Sequence, residues 1–385
     1  MSKFKENNDQ NSEKRIDKHA LAFGLISAFL CGVGFSIIMP VVPFLVHPYV
    51  NSPQNQTIIV TLLTSVYAVC VFFVAPGIGV LSDRYGRRPV LIICLLGSAI
   101  GYLIFGIGGA LWVLFTGRIV EGVTGGSIST IFAYFSDIIP AQQRTKYFGW
   151  MSAVVGVGTA IGPALGGLLA RFDYSLPLYF GALITVINVV YGFIYMPESL
   201  DKKDRIVAIP IVRLNPFTQL ITILSMKNLK WLLISAFLLW LPNGSLQAIF
   251  SQFTIDNFNW KPAIIGLMFS IIGIQDILSQ GLIMPKLLLK YTDKHIAIIG
   301  MFVFGFGDSI FGPSFNGMLS KSVDASEQGR IQGGSQSIQA LARIVGPIIG
   351  GQIYITLGHA APAFMGVILI ALAILFLYKR GLVET

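Results

Sequence analysis

The sequence predicts an all-α protein that crosses a membrane many times. Of its 385 residues, 54% are hydrophobic and only 12% are charged, about half the charged share of a typical soluble domain. The mean hydropathy is +0.73, and long apolar runs recur along the whole chain. Because so few charges cannot form a water-facing surface, we expect lipid to cover most of the exterior.

The apolar runs give the order of the helices, since a spanning helix needs roughly 20 apolar residues. They cover residues 20–46, 58–80, 89–109, 111–136, 147–170, 175–196, 229–250, 263–285, 295–320, 331–357 and 360–378. A polar stretch with several charges and three prolines separates the sixth run from the seventh. We therefore predict a cytoplasmic tail (1–19), a helical bundle (20–196), a cytoplasmic linker (197–228) and a second helical bundle (229–385).

The first apolar run is expected to be a spanning helix rather than a signal peptide. It continues to Val46, and no small-residue cleavage site closes it. The cysteines Cys31, Cys70 and Cys94 all lie inside apolar runs. We interpret them as small buried residues and not as a disulfide framework or a metal site.

The basic residues predict the topology. All but four of the 27 lysines and arginines fall in segments that are cytoplasmic if the N-terminus is inside. The exceptions are Arg171 and Lys261 in predicted outer loops, and Arg118 and Arg343 within apolar runs. This bias predicts a multi-pass protein of the cell membrane with a cytoplasmic N-terminus. It also argues against a nucleic-acid partner, because the net charge of +9 is not gathered into one patch.

Two short segments repeat each other and relate the two bundles. Gly162–Gly167 is echoed by Gly346–Gly351, and Arg84-Tyr85 is echoed more weakly by Lys290-Tyr291. The first offset (346 minus 162) is 184 and the second (290 minus 84) is 206, so they differ by 22. The second bundle is therefore predicted to be short by about one helix around 295–320.

Charge and length conflict in the same region. Lys294 and Lys321 both look cytoplasmic, but the segment 295–320 between them suffices for one crossing and not for two. One crossing would place the residues before it or those after it on the wrong side. We expect the missing part near Met301 to Gly307.

The loop between the second and third runs holds a charged motif with two glycines. It reads Gly79-Val80-Leu81-Ser82-Asp83-Arg84-Tyr85-Gly86-Arg87-Arg88. Glycine allows a tight turn, Asp83 can pair with an arginine or cap a helix, and the arginines hold the loop in the cytosol. The pattern G-x-L-x-D-R-x-G-R-R resembles the signature loop of the major facilitator superfamily. The resemblance implies a conformational-switch role for Gly79, Asp83, Arg84, Gly86, Arg87 and Arg88.

Two further elements strengthen the resemblance. Arg118-Ile119-Val120-Glu121-Gly122 is similar to the family's R-x-x-Q-G element, with Glu121 at the usual glutamine position. The glycine pattern of the drug:proton antiporter branch is reproduced by Gly149, Gly158, Gly162, Pro163, Gly166 and Gly167. Small residues four apart let helices pack closely, and Pro163 lacks a backbone donor, which permits a bend.

The resemblance implies an architecture and a mode of action. The expected fold is a major facilitator fold of two six-helix bundles with pseudo-twofold symmetry around a central cavity, the second bundle being short as described. Proteins of this kind work by alternating access.

Finer details resemble tetracycline-efflux and related multidrug pumps. They are Gly34, Pro40 and Pro43 in the first run, Pro197-Glu198-Ser199 after the sixth, and Leu214-Asn215-Pro216-Phe217 before the seventh. Cys31 is a departure, because some tetracycline pumps carry an aspartate there. It weakens the case for tetracycline as the substrate.

Three carboxylates inside apolar runs are candidates for proton coupling, because ionisable groups at membrane depth are costly and usually functional. Asp276 lies roughly where the resemblance places an ionisable residue of tetracycline pumps, and Asp308 where related multidrug pumps carry an acid. Glu121 follows Arg118 by three residues. Both an intrahelical ion pair that only neutralises charge and a proton relay are therefore open for Glu121.

The other polar groups inside the runs are less informative. Arg343 can pair with an acid or extend towards the membrane surface, and we interpret it as structural. Trp240, Asn243 and Gln247 in the seventh run are candidates to line a cavity, although aromatic residues there are more often packing residues.

The sequence favours a transporter over an enzyme. It contains no H-E-x-x-H, G-x-S-x-G, Walker A or C-x-x-C motif. We expect no cofactor, the proton gradient as energy source, a drug-like small molecule, protons and the lipid bilayer as partners, and a monomer. The predicted function is export of amphipathic small molecules or drugs, tetracycline-like or multidrug, in exchange for protons. The alternatives are a metabolite uniporter or symporter of the same family and a transport-incompetent, internally deleted remnant.

Overall fold

The computed structural model describes residues 18–125, 127–140, 143–206, 214–225, 229–292 and 328–383, together with residues 295, 296, 298, 311, 314, 315, 318 and 319. Twelve helices of eight or more residues lie in these ranges: α1 (Lys18–Ile37), α2 (Pro53–Tyr85), α3 (Arg87–Ile107), α4 (Leu111–Val123), α5 (Ser127–Ile138), α6 (Arg144–Leu169), α7 (Leu176–Tyr195), α8 (Pro216–Leu224), α9 (Lys230–Phe258), α10 (Pro262–Leu278), α11 (Gln328–Leu357) and α12 (Ala361–Val383). Over the same ranges there is no strand, and nine helices are long and apolar enough to span a membrane. The prediction of an all-α multi-pass protein is confirmed.

Short helical segments complete the described chain. Val42–Val46 and the 3₁₀ turn His47–Tyr49 follow α1, and a 3₁₀ turn at Lys202–Asp204 follows α7. After α10 the chain continues through a π-helical turn at Ser279–Ile283 into Met284–Leu288.

Several helix ends differ from the predicted spans. The run 20–46 is interrupted after Ile37, where Pro40 and Pro43 cannot donate backbone hydrogen bonds. The run 111–136 is divided between α4 and α5. Conversely, α9 continues past the predicted residue 250 to Phe258 and ends at Asn259, which adopts a left-handed conformation with φ of 53°. Hydropathy locates the apolar centre of a helix, whereas caps and breakers fix its ends.

The described helices form two packed groups. In the first, α1 packs along α6, α3 packs against α4 and α7, and α2 packs against α4; in the second, α9 packs against α11 and α12. Core side chains of the second group include Leu233, Leu239 and Leu377, with Phe311 and Phe315 buried among them. The groups meet where α10 packs on α6 and where α11 packs on α2.

Glycine contacts define two sides of the molecule. We call inner the side of the turn between Tyr85 and Arg87, which the charge pattern predicts to be cytoplasmic, and outer the opposite side. At the outer end of α6, Gly167 touches Pro262 at the start of α10. At the outer end of α11, Gly351 touches Thr61 near the start of α2. The two groups are therefore in contact on the outer side.

The internal repeat corresponds to matched contacts. Gly162 of α6 lies against Val33 of α1, and its repeat partner Gly346 of α11 lies against Leu241 of α9. Further on in each helix, at equivalent positions of the repeat, Gly167 and Gly351 reach the other bundle. The equivalence of these contacts is what a pseudo-twofold relation between the bundles requires.

The described helices on either side of residues 293–327 have defined directions. Because α10 starts at the outer contact and α11 ends at the other one, Lys290 and Gln328 lie on the same, inner side. Met301 to Gly307 lie outside the described residues, so the position of the shortfall stays a prediction.

Candidate transport pathway between the helical bundles

The antiporter-like glycines of α6 lie in contact with two other helices. An ideal Cβ at Gly158 would be 3.0 Å from the backbone nitrogen of Val33, and one at Gly166 would be 3.0 Å from the carbonyl carbon of Ile37. On the other side of α6, Pro163 and Gly167 face the backbone of α10 at Gly266 and Pro262. Gly149, at the inner end of the same pattern, has open space around it. The pattern thus lets α6 approach α1 and α10 backbone to backbone.

An ionic cluster on the inner side centres on Arg87. Its guanidinium group pairs with Asp83, donates from Nε to Asp137 at 3.1 Å and donates from Nη1 to Ser82 at 2.6 Å. Asp137 also accepts a hydrogen bond from Ser199 Oγ at 3.0 Å. The cluster therefore connects α2, α3, α5 and the segment after α7 within the first bundle.

Glu198 caps the N-terminus of α3 in the same cluster. Its Oε1 accepts the backbone N–H of Arg87 at 2.8 Å, of Ser199 at 3.0 Å and of Leu200 at 3.2 Å. A carboxylate at a helix N-terminus compensates unpaired donors and the positive end of the helix dipole. The preceding Gly86 has a φ of 107°, and a Cβ there would collide with the Glu198 carboxylate. This turn therefore requires glycine.

The other residues of the charged motif between α2 and α3 differ in their contacts. Arg88 donates to the backbone oxygen of Phe193 on α7, and the Arg84 guanidinium lies 5.4 Å from the ring centre of Tyr85. Gly79 has open space around it. Asp137 was not singled out by the sequence, because the acid ends an apolar run and its partner Arg87 is far away along the chain.

A buried ion pair lies in the middle of the first bundle. Arg118 Nη1 donates to Glu121 Oε2 at 2.7 Å, and the two side chains are 8% and 5% exposed. The guanidinium carbon lies 5.1 Å from the ring centre of Tyr67 and 5.6 Å from that of Phe105. Arg118 Nε is buried without a hydrogen-bond partner among the described residues. The two opposite charges of the pair thus neutralise each other inside the bundle.

Both bundles line a cavity next to this ion pair. Its wall includes Phe35, Tyr67 and Arg118 from the first bundle and Gln247 and Ser251 from α9. Ile38, Met39 and Val42, which follow α1, and Val60 of α2 supply much of the remaining apolar wall. A cavity with an aromatic wall and a few polar groups suits amphipathic molecules.

The three candidates on α9 differ in position. Gln247 lines the cavity. Trp240 instead packs edge-on against Phe315, with ring centres 5.1 Å apart, inside the second bundle. Asn243 is half-buried between them along the helix and does not line this cavity.

Comparison with known proteins identifies the family. Residues 24–296 match the profile of the Major Facilitator Superfamily. The chain belongs to this superfamily. The class H tetracycline resistance protein of Pasteurella multocida is 32% identical to it, over 86% of this chain and 88% of the relative. The class C protein of Escherichia coli is 32% identical, over 87% and 90% respectively.

Solved structures of other sequences share the major facilitator fold. The crystal structure of the human organic anion transporter MFSD10 matches with a TM-score of 0.72 at 21% identity, covering 94% of this chain and 99% of that one. The crystal structure of a mutant of the nucleoside transporter NupG matches with a TM-score of 0.76 at 13% identity, covering 94% and 98%. The likeness at these identities concerns the fold alone. It confirms the predicted fold class.

The alignments with the two tetracycline resistance proteins show that parts of these relatives have no counterpart in this chain. The class H alignment spans 352 positions but covers only 86% of this chain, which leaves about 21 positions with no counterpart here. The class C alignment spans 358 positions and covers 87%, which leaves about 23. Both values are close to the difference between the two repeat offsets. The superfamily match itself ends at residue 296, inside the interval where the repeat is short.

The other two proton-coupling candidates are Asp276 and Asp308. Asp276 is half-buried on α10, three residues after Gly273, where a Cβ would meet Ala160 of α6. Asp308 lies outside the described residues. Arg343 is exposed on α11, with its guanidinium carbon 6.0 Å from the ring centre of Phe35. Of the residues that the sequence placed inside the membrane, Arg118 and Glu121 thus form an ion pair on α4. Asp276 lies on α10 and Arg343 on α11.

Proposed function

We propose that this chain exports amphipathic small molecules or drugs across the cell membrane in exchange for protons. The observation that carries the proposal is the antiporter-like pattern of α6, whose glycines Gly158, Gly162 and Gly166 lie against α1 while Pro163 and Gly167 form the contact with α10. The names of the class H and class C relatives, both tetracycline resistance proteins, support export of a drug. Tetracycline itself is not favoured, because Cys31 replaces an aspartate that some tetracycline pumps carry.

The proposed motion is a rocking of the two bundles about these contacts. Small residues let α6 and α10 meet through backbone atoms, so the contact can separate without exchanging interlocked side chains. The Arg87 cluster joins four elements of the first bundle, and we expect that bundle to move as one body. The cavity beside Arg118 would then open alternately to either side.

Asp276 is the proposed carrier of the exchanged proton. It follows Gly273 by one helical turn and so lies near the moving contact between α10 and α6. Glu121 is the second candidate, because protonation would release Arg118 from its ion pair. A carboxylate that changes its surroundings during rocking can bind a proton on one side and release it on the other.

A drug-susceptibility panel tests the export. The chain would be expressed in a sensitive host that lacks major efflux pumps, with and without an uncoupler that collapses the proton gradient. We expect raised inhibitory concentrations for several amphipathic drugs, lost when the gradient is collapsed. Resistance that persists without the gradient would contradict proton exchange.

Asp276→Asn tests the proton-carrying role. In inverted vesicles, the variant should abolish drug-dependent proton movement. Asp201→Asn is the matched control, because Asp201 is exposed in the linker and its ion pair with Lys203 is loose at 3.6 Å. Unchanged exchange in the Asp276 variant would remove this residue from the mechanism.

A second candidate, a transport-incompetent remnant, is favoured by one observation. About 21 aligned positions of the class H relative have no counterpart in this chain. The length of the chromosomal reading frame and the membrane side of a C-terminal tag test it. An outer C-terminus together with no resistance to any drug would support the remnant, whereas an inner C-terminus with resistance would exclude it.

A further inference from the structure

Two arginines flank an aromatic pair beside the cavity. The guanidinium carbon of Arg343 on α11 lies 6.0 Å from the ring centre of Phe35 on α1. The Phe35 ring centre is 6.3 Å from that of Tyr67 on α2. The guanidinium carbon of Arg118 on α4 lies 5.1 Å from the ring centre of Tyr67. Four helices from both bundles thus bring two cations and two rings together.

The positive charge of this cluster is only partly compensated. Arg118 has the Glu121 carboxylate, but its buried Nε has no acceptor among the described residues. Arg343 has no carboxylate within ion-pair distance and no hydrogen-bond acceptor in the described ranges. It is nevertheless exposed, and it lies over the ring of Phe35, which lines the cavity, without itself being part of the cavity wall. The cluster of Arg118, Glu121 and Arg343 therefore has one net positive charge.

An arginine at membrane depth without a counter-charge is costly. Water in an open cavity lowers this cost, but a cavity that closes around a ligand removes the water. A carboxylate or another deprotonated oxygen on the ligand would provide the missing charge, and guanidinium groups bind such oxygens with two parallel hydrogen bonds. Phe35 and Tyr67 offer ring faces and edges to a flat ring system.

We propose that Arg343 is a substrate-binding residue and that the transported molecules are amphipathic ring compounds with an anionic oxygen. The ring system lies against Phe35 and Tyr67, the anionic oxygen is bound by Arg343, and Arg118 Nε supplies a second donor. This inference rests on the proposed export function, since it names the substrate class of that pathway. It also replaces the interpretation of Arg343 as a structural residue.

Two dyes with one ring system test the charge preference. Fluorescein is an anionic xanthene and rhodamine 6G a cationic one. Binding of each to the purified protein in lipid nanodiscs is measured by fluorescence anisotropy. The wild type should bind fluorescein at least tenfold more tightly than rhodamine 6G.

Variants of Arg343 connect that preference to the residue. Arg343→Gln should weaken fluorescein binding about tenfold or more, as expected for loss of a charge-assisted hydrogen bond, and leave rhodamine 6G binding unchanged or tighter. Arg343→Lys keeps the charge and should give an intermediate affinity, which also serves if the glutamine variant does not fold. Arg171→Gln, an exposed arginine in the outer loop after α6, should change neither dye.

Three outcomes overturn the inference: tighter binding of rhodamine 6G, binding of neither dye, or equal weakening of both dyes by Arg343→Gln. Its failure is distinguishable from failure of the proposed function. If rhodamine 6G is exported and fluorescein is not bound, export stands and the anion site is wrong. If fluorescein binds through Arg343 but no drug moves protons in vesicles, the site stands and the export function is wrong.

Discussion

Gly167→Ala should separate the two bundles on the outer side. An ideal Cβ at this position would lie 2.9 Å from Cα of Ala263 and 3.0 Å from the carbonyl carbon of Pro262. Carbon atoms in contact are normally about 3.5–4.0 Å apart, so α6 and α10 must move apart locally by roughly 0.5–1 Å. All of these atoms belong to the backbone of α10, and a change of side-chain rotamer cannot relieve the overlap.

Gly167→Ala should destabilise only the outer-closed conformation, in which the two bundles touch on the outer side. Inserting one methyl group into a close-packed contact costs about 1–3 kcal/mol. In the outer-open conformation the contact is absent and the cost disappears. The ratio of closed to open molecules should therefore decrease roughly 5- to 150-fold.

Spin labels on the outer side measure this change. Residues 171 and 261 are exposed on opposite bundles and can carry labels after the three native cysteines are replaced by serine. Gly167→Ala should move the distance distribution to longer values. Gly149→Ala belongs to the same motif but has nothing within 4 Å, so it should leave the distribution unchanged. A wild-type distribution for Gly167→Ala, or equal effects of both variants, would refute the reasoning.

Three further predictions address the cap of α3, the buried ion pair and the cavity. Glu198→Gln removes the charge that accepts three backbone N–H groups and should lower the free energy of unfolding by about 1–2 kcal/mol, measured by thermal unfolding; an effect no larger than that of Asp201→Asn would contradict the capping role. Glu121→Gln leaves Arg118 buried without a counter-charge and should lower the free energy of unfolding by about 3–5 kcal/mol. The double variant Arg118→Gln/Glu121→Gln should be more stable than the sum of the two single effects predicts. Strict additivity of the two effects would mean that the pair is not coupled. Gln247→Ala should change which drugs are exported without lowering the melting temperature, and an unaltered resistance profile would remove this residue from the binding surface.

The sequence was sufficient to predict most of the architecture because lipid restricts the options. A spanning segment must be helical and long, so composition and run length alone give an all-α bundle. Boundaries were less predictable. Hydropathy does not register the left-handed Asn259 that ends α9, or the division of one apolar run into α4 and α5.

The site was predictable where a motif is local and not where contacts are distant. The Arg118–Glu121 pair follows from their spacing of three residues on one helix. The pairing of Arg87 with Asp137 depends on how α3 packs beside α5, which a single sequence does not reveal. The acid at the end of the fifth helix could have been a signal, because a carboxylate beside an apolar run needs a partner.

Drug-induced proton movement in inverted vesicles tests the central claim of drug:proton exchange most directly. Vesicles containing the wild-type chain are energised, and the internal pH is followed while amphipathic drugs are added one at a time. Drug addition should dissipate the pH gradient in wild-type vesicles, and it should have no effect in vesicles that contain the Asp276→Asn variant at the same level. If no drug alters the gradient although the wild-type chain is present and folded in the membrane, drug:proton exchange is contradicted.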